Sequence, residues 1–242
     1  MRKSFMAAGA AVLAVGAAGV AYAQTPAAPV VTGTAKLSPS KAGTKSKPAN
    51  VKFSLNVTNN QESKTTAKQI AITFPSTLKL STKGLPQCTK SDNAIINSGP
   101  KVACKSSIAG SGTADAIAGP FAQTPAAIHF IVTPLVGKNQ LLFYLAAQGG
   151  VTNKYVVHGK ISGRKMTITI PPDVQQPVPG LYSALTGLNT TLGMKKGKNF
   201  LISSTGCSSG ADKVGVAISY APNPGPPSQP SASTTASAKC SK

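Results

Sequence analysis

The 242-residue chain has no tryptophan and few aromatic side chains of any kind. An exposed stacking platform of the sort that carbohydrate-binding surfaces use therefore has little material. Acidic residues are almost as scarce. Glu62, Asp92, Asp115, Asp173 and Asp212 stand at wide intervals, a poor basis for the carboxylate pair of a glycosidase. Beyond Arg2, Arg164 is the sole arginine, and every other cation is lysine. Arginine is the residue suited to bidentate base and phosphate contacts, so sequence-specific nucleic-acid binding is not expected. No two cysteines have C-x-x-C spacing and no histidine lies near them, which argues against zinc or redox chemistry. No window keeps an i, i+3, i+4, i+7 apolar period with caps, and no long apolar run follows residue 23, so neither a helical bundle nor a membrane span is expected.

The N-terminus carries the clearest signal. Arg2 and Lys3 precede an apolar run from Ala7 to Val20, and Ala21-Tyr22-Ala23 is a small-x-small cleavage site. Residues 1–23 read as a secretory signal peptide, and residues 24–30 as a Pro/Ala-rich linker. The expected location is secreted or extracellular, where cysteines can pair. Loss of Arg2 and Lys3 lowers the formal charge from +20 to +18. Such a balance favours non-specific attraction to anionic cell-wall polymers or other polyanions, and so retention at the wall.

The rest of the chain breaks into short β-branched segments. Val51 to Val57 alternates apolar and polar side chains, the period of a strand with one buried face. Similar runs are Thr32–Leu37, Gln69–Phe74, Gly112–Ile117, Ala127–Thr133, Gln140–Ala147, Lys154–Ile161, Lys165–Ile170, Asn199–Ser203 and Val214–Tyr220. Ser162-Gly163-Arg164 reads as a hairpin turn. Short helical turns fit Ser91–Ile96 or Leu181–Leu185. Pro171 to Gly193 lacks the strand pattern and reads as a crossing loop or a cover over one end. The expected fold is all-β, an antiparallel β-sandwich of about ten strands with two disulfides over residues 31–220. A Pro-rich segment (221–231) follows, then a C-terminal strand (232–242) tied back by a disulfide.

Four cysteines allow three pairings. The most local, Cys88–Cys104 with Cys207–Cys240, is favoured: one bridge closes a loop with little core of its own, the other staples the tail. Gly206-Cys207-Ser208-Ser209-Gly210 matches G-x-S-x-G, but no histidine follows Ser208 and the next element alternates like a strand, unlike a nucleophile elbow. His129 and His158 sit singly in strand-like runs; with Asp173 they lack ligand spacing for a metal. Phe53, Phe74, Phe130 and Phe143 fall in strands where core packing is the default, leaving Tyr144, Tyr155, Tyr182 and Tyr220 as candidates for exposure. Asn56-Val57-Thr58 and Asn189-Thr190-Thr191 match the glycosylation sequon.

Three blocks carry a family likeness: Leu85-Pro86-Gln87-Cys88 followed by Cys104 to Ala114, then Pro171 to Tyr182, then Ser204-Thr205-Gly206-Cys207 with a last strand ending at Cys240. They resemble a group of functionally uncharacterised, secreted, disulfide-containing β-sandwich proteins of high-GC Gram-positive (actinobacterial) species. Cys104 lacks the proline that often follows that cysteine in the group, and Asn223–Pro230 is unusually Pro-rich. The resemblance implies the local disulfide pairing and a β-rich secreted fold, and it carries no catalytic residue. The expectation is thus a non-enzymatic envelope-associated structural or interaction protein, without cofactor or metal. The alternative is a binding module for a carbohydrate or another envelope component, using the Pro171–Gly193 stretch; a hydrolase is the least supported.

Overall fold

A computed structural model describes residues 30–60, 65–119, 126–149, 153–177, 179–222 and 230–242. The signal segment 1–23, nearly all of the 24–30 linker and most of the Pro-rich 221–231 segment lie outside the described residues. The first half contains β1 (Val31–Ser38), β2 (Ala49–Asn50), β3 (Lys52–Asn59), β4 (Thr66–Thr73) and β5 (Leu78–Leu80), then α1 (Asp92–Ser98) and α2 (Pro100–Ala103). Next come β6 (Gly110–Ala118), β7 (Ala126–Gly137), β8 (Gln140–Gln148), β9 (Lys154–Ser162), β10 (Lys165–Thr169) and a short α3 (Pro172–Gln175). The chain ends with β11 (Ser183–Leu192), β12 (Lys195–Lys196), β13 (Asn199–Phe200), β14 (Ile202–Ser204), β15 (Ala211–Ala221) and β16 (Ser231–Lys239).

The fold is all-β and antiparallel, as the alternation implies. Eleven strands form one sheet in the order β1-β3-β11-β6-β7-β8-β9-β10-β4-β15-β16. The sheet curls until its two edge strands meet, so the two layers expected of a sandwich are opposite walls of a nearly closed barrel. At the seam, a Cβ on Gly33 would lie 3.3 Å from Thr234 Cγ2 and 3.5 Å from the Ala236 methyl. Beyond the strand ends, the Ala42 N–H donates to the Ser241 carbonyl at 2.8 Å and the Ser241 N–H to Ser40 at 3.0 Å. Among the described residues no ladder joins β1 to β16; the two edges shield each other by proximity and are pinned by these bonds beyond their ends.

Period-two alternation sets which face is inside. In β3, Phe53, Leu55, Val57 and Asn59 are buried while Lys52, Asn56 and Thr58 are exposed. β15 repeats the pattern with Val214, Val216, Ile218 and Tyr220 inside. Apolar inside and lysine, threonine and asparagine outside is the reverse of a lipid-facing barrel. No helix among the described residues is long and apolar enough to cross a membrane.

One end of the barrel is plugged. A second sheet, β2-β14-β5, packs there with Leu78, Leu80, Leu201 and Ile202 buried in the same core as Val51 and Phe74. Phe53 and Phe74 meet edge to face at 5.2 Å between ring centroids. The Cys207–Cys240 disulfide (Cα–Cα 5.7 Å) ties the last residues to the connection before β15 at this end.

The Cys88–Cys104 disulfide (Cα–Cα 5.3 Å) closes the segment holding α1 and α2, which covers the outer face of β7, β8 and β9. Ile95 is fully buried there against Leu135, Leu142, Tyr144 and Val156. This outer cover explains why β8 begins with four consecutive buried residues after Gln140: both of its faces are packed. Ser91 caps α1, its Oγ accepting from the Ala94 N–H at 3.3 Å, and Gly99 ends it at φ 77°. The cysteine pairs are the local ones.

The Pro171–Gly193 stretch corrects the sequence reading. Only its first part is loop and α3. Ser183–Leu192 is β11, a central strand paired with β3 on one side and β6 on the other. A register shift between Leu185 and Gly187 breaks the alternation, so the inward set changes phase along the strand. Leu181–Leu185 is accordingly not a helical turn.

Candidate ligand-binding cavity

The barrel is not filled along its whole length. Between the plug and the opposite end lies an apolar cavity of about 100 Å³. By the measure in which one water needs roughly 10–15 Å³, this space exceeds several waters. β6 creates much of it. Its inward positions Ala114 and Ala116 present only methyl groups, and Gly112 on the same face presents none. Gly112 is required by the backbone: a Cβ there would collide with the Asn189 carbonyl of β11.

Larger side chains from the other strands form the walls. Ile70 and Ile72 come from β4, Phe130 and Val132 from β7, Phe143 and Leu145 from β8, Tyr155 and Val157 from β9, and Met166 and Ile168 from β10. Phe143 lies across β9 where Gly159 makes room; a Cβ at Gly159 would be 2.8 Å from the ring. Phe130 and Tyr155 meet edge to face at 6.3 Å. From Val132 to Ile128 the lining runs four residues along β7, roughly 13 Å at ~3.3 Å per residue.

The outer end of the cavity is rimmed by Asn153, Val174, Pro177 and Ser183. α3 is held across it by two hydrogen bonds. Ser183 Oγ donates to the Val174 carbonyl at 2.6 Å, and Gln175 Nε2 donates to the Ile170 carbonyl at 2.7 Å. Asn153 Nδ2 donates to the Tyr155 hydroxyl at 3.1 Å. Burial pushes the Tyr155 pKa above the usual tyrosine value; the Asn153 hydrogen bond opposes this and the Asp173 charge adds to it. The group stays a neutral hydroxyl at physiological pH. At the inner end Thr190 lines the cavity, and its buried Oγ1 has no hydrogen-bond partner.

The residues singled out from sequence do not gather here. His129 Nδ1 pairs with Asp115 Oδ1 at 2.6 Å on the outer wall. His158 contacts Asp92 at 2.9 Å and Gln140 at 3.1 Å, bridging β9 to α1. Asp173 stands apart at the cavity rim, where its own Oδ1 accepts from the Val174 N–H. Asp212 is buried near the plug with Thr77 donating to it, and Glu62 lies outside the described residues. No group of three His, Cys, Asp or Glu among the described residues is placed to hold a metal ion. Ser208 is exposed in a turn, its carbonyl accepting from Ala211, and β15 follows instead of a helix. The four tyrosines are also dispersed: Tyr144 lies under α1, Tyr155 in the cavity, Tyr220 in the core, and Tyr182 half-buried just before β11, its carbonyl accepting from the Gly119 N–H at 2.8 Å.

Sequence reasoning assigned Phe130 and Phe143 to core packing and missed that they bound a cavity. The available signal was the small inward face of Gly112-Thr113-Ala114-Asp115-Ala116, a strand with nothing large to bury. Comparison of the chain with protein-family models, with curated proteins and with solved structures finds no match.

Proposed function

We propose that this is an exported, non-enzymatic binding protein whose barrel interior takes up a small apolar ligand. The cavity is the observation that carries the reading: its described lining is almost wholly aliphatic and aromatic, with a few polar groups concentrated at the two ends. Concave, apolar sites with sparse polar groups are the usual form of small-molecule pockets. The signal-like residues 1–23 and the two disulfides support an oxidising, extracytoplasmic setting. A carbohydrate site has weaker support, because the tyrosines are dispersed and the Pro171–Gly193 stretch is largely a central strand.

Binding of a neutral solvatochromic dye tests this. The wild-type chain is expected to raise and blue-shift the dye's emission, and Ala116→Leu, which fills the cavity, to abolish that response while remaining folded by circular dichroism. A wild-type chain that leaves the dye unchanged contradicts the reading.

A second reading, electrostatic retention at the envelope, is favoured by how the cations are placed. Lys41, Lys45 and Lys47 lie between β1 and β2, Lys79 lies in β5 and Lys83 just after it, and Lys195, Lys196 and Lys198 lie on the β12–β13 hairpin. All are exposed at or near the plugged end, along with Arg164 and Lys165 at the β9–β10 turn. Around the cavity rim the described cations are Lys68 and Lys154. Anionic wall polymers would thus meet the plug and leave the cavity facing away.

A further inference from the structure

Taking the interior as a ligand site, as proposed above, we infer that the ligand is a neutral amphiphile with a single apolar chain, its hydrogen-bonding head at Asn153 and Tyr155 and its tail toward Val132 and Met166. Three observations converge on this. The described lining contains no Lys, Arg, His, Asp or Glu. A carboxylate or ammonium drawn inside would lose its water without gaining a counter-charge, which strongly disfavours charged heads. The volume of about 100 Å³ is lined along β7 from Ile128 to Val132, an elongated space that suits a slender hydrocarbon chain. Finally, the polar groups of the described lining at the rim are neutral donors and acceptors: the Ser183 hydroxyl, and the Asn153 amide and Tyr155 hydroxyl, 3.1 Å apart.

Charge near the rim refines the picture. Burial is the main reason the Tyr155 hydroxyl keeps its proton, and the Asp173 charge adds a smaller effect of the same sign; that charge also opposes an anionic head. Lys154 precedes Tyr155 in β9, and alternation turns it to the outer face, where it is exposed. With Lys68 it is one of the two described cations that an anionic head at this rim would seek, and it adjoins Tyr155 in the chain.

Competition for the bound neutral dye decides the matter, using a straight-chain alcohol, the carboxylic acid of equal length and the matching alkylammonium. The alcohol is expected to displace the dye at least about tenfold more tightly than either ion. Tyr155→Phe is expected to weaken the alcohol several-fold more than it weakens the dye, a difference that a merely structural role would not produce. Acid binding as tight as the alcohol, and falling on Lys154→Ala, overturns the inference but leaves the cavity as a ligand site. Failure of the dye and of all three chains to bind overturns both.

Discussion

Tyr220 donates its hydroxyl to Asn59 Oδ1 at 2.8 Å, and Asn59 turns its amide to the Leu185 carbonyl at 2.8 Å. This buried chain links β15 and β3 to the point where β11 changes register, so it holds the irregularity that sets the inward face of β11. Burial raises the Tyr220 pKa from 10.0 to about 12, against a smaller opposing effect of the Asn59 hydrogen bond. Below pH 10 the hydroxyl is protonated in folded and unfolded chains alike, and its contribution is intact. Between pH 10 and about 12 the unfolded chain releases the proton first, so stability falls as pH rises through that window. Tyr220→Phe should flatten this component of the alkaline slope. At neutral pH it should cost about 1–2 kcal/mol, because Asn59 Oδ1 loses its donor. Urea denaturation at a series of pH values measures both.

The Cys207–Cys240 bond spans 33 residues and the Cys88–Cys104 bond 16. Chain-entropy reasoning gives each about 3–4 kcal/mol, slightly more for the longer loop. Their failures should differ in location. Replacing Cys240 by serine should loosen β16 first and open the seam with β1, whereas replacing Cys104 should expose the outer face of β7, β8 and β9. Amide hydrogen exchange of the two variants reads this directly.

Thr190→Val removes a buried hydroxyl without a partner and keeps the shape of the side chain. Stability should rise, by about 1 kcal/mol, since an unsatisfied buried polar group costs that order. A fall in thermal midpoint would mean that the hydroxyl is satisfied in solution.

Neutralising Lys195, Lys196 and Lys198 together with glutamine should weaken retention on anionic wall polymers at low salt and change little at high salt, where exposed charges are screened. Thermal stability should be nearly unaffected, because all three side chains are exposed. Sedimentation with purified wall material across a salt series checks both points.

Much of the wall was readable from sequence because β3, β10 and β15 alternate cleanly, and the cysteine pairs because both are local. β11 was not readable. Its inward positions include Ser183 and Thr190, and the shift at Leu185/Gly187 moves the period by one residue. β5 and β14 have three residues each and carry no period of their own; only the plug they share with β2 defines them. The cavity lay further from view. It depends on β6 standing between β11 and β7, and on β4 standing between β10 and β15, a strand order that local patterns do not encode.

Methyl-resolved NMR of the chain titrated with a neutral long-chain alcohol tests the central claim most directly. Ile70, Val157, Ile168 and Leu145, which line the cavity, should shift and saturate together, while Ile95 on the buried side of α1 and Ile202 in the plug stay in place. Shifts confined to Ile95 or to the plug, or none at any methyl, would contradict a ligand held inside the barrel.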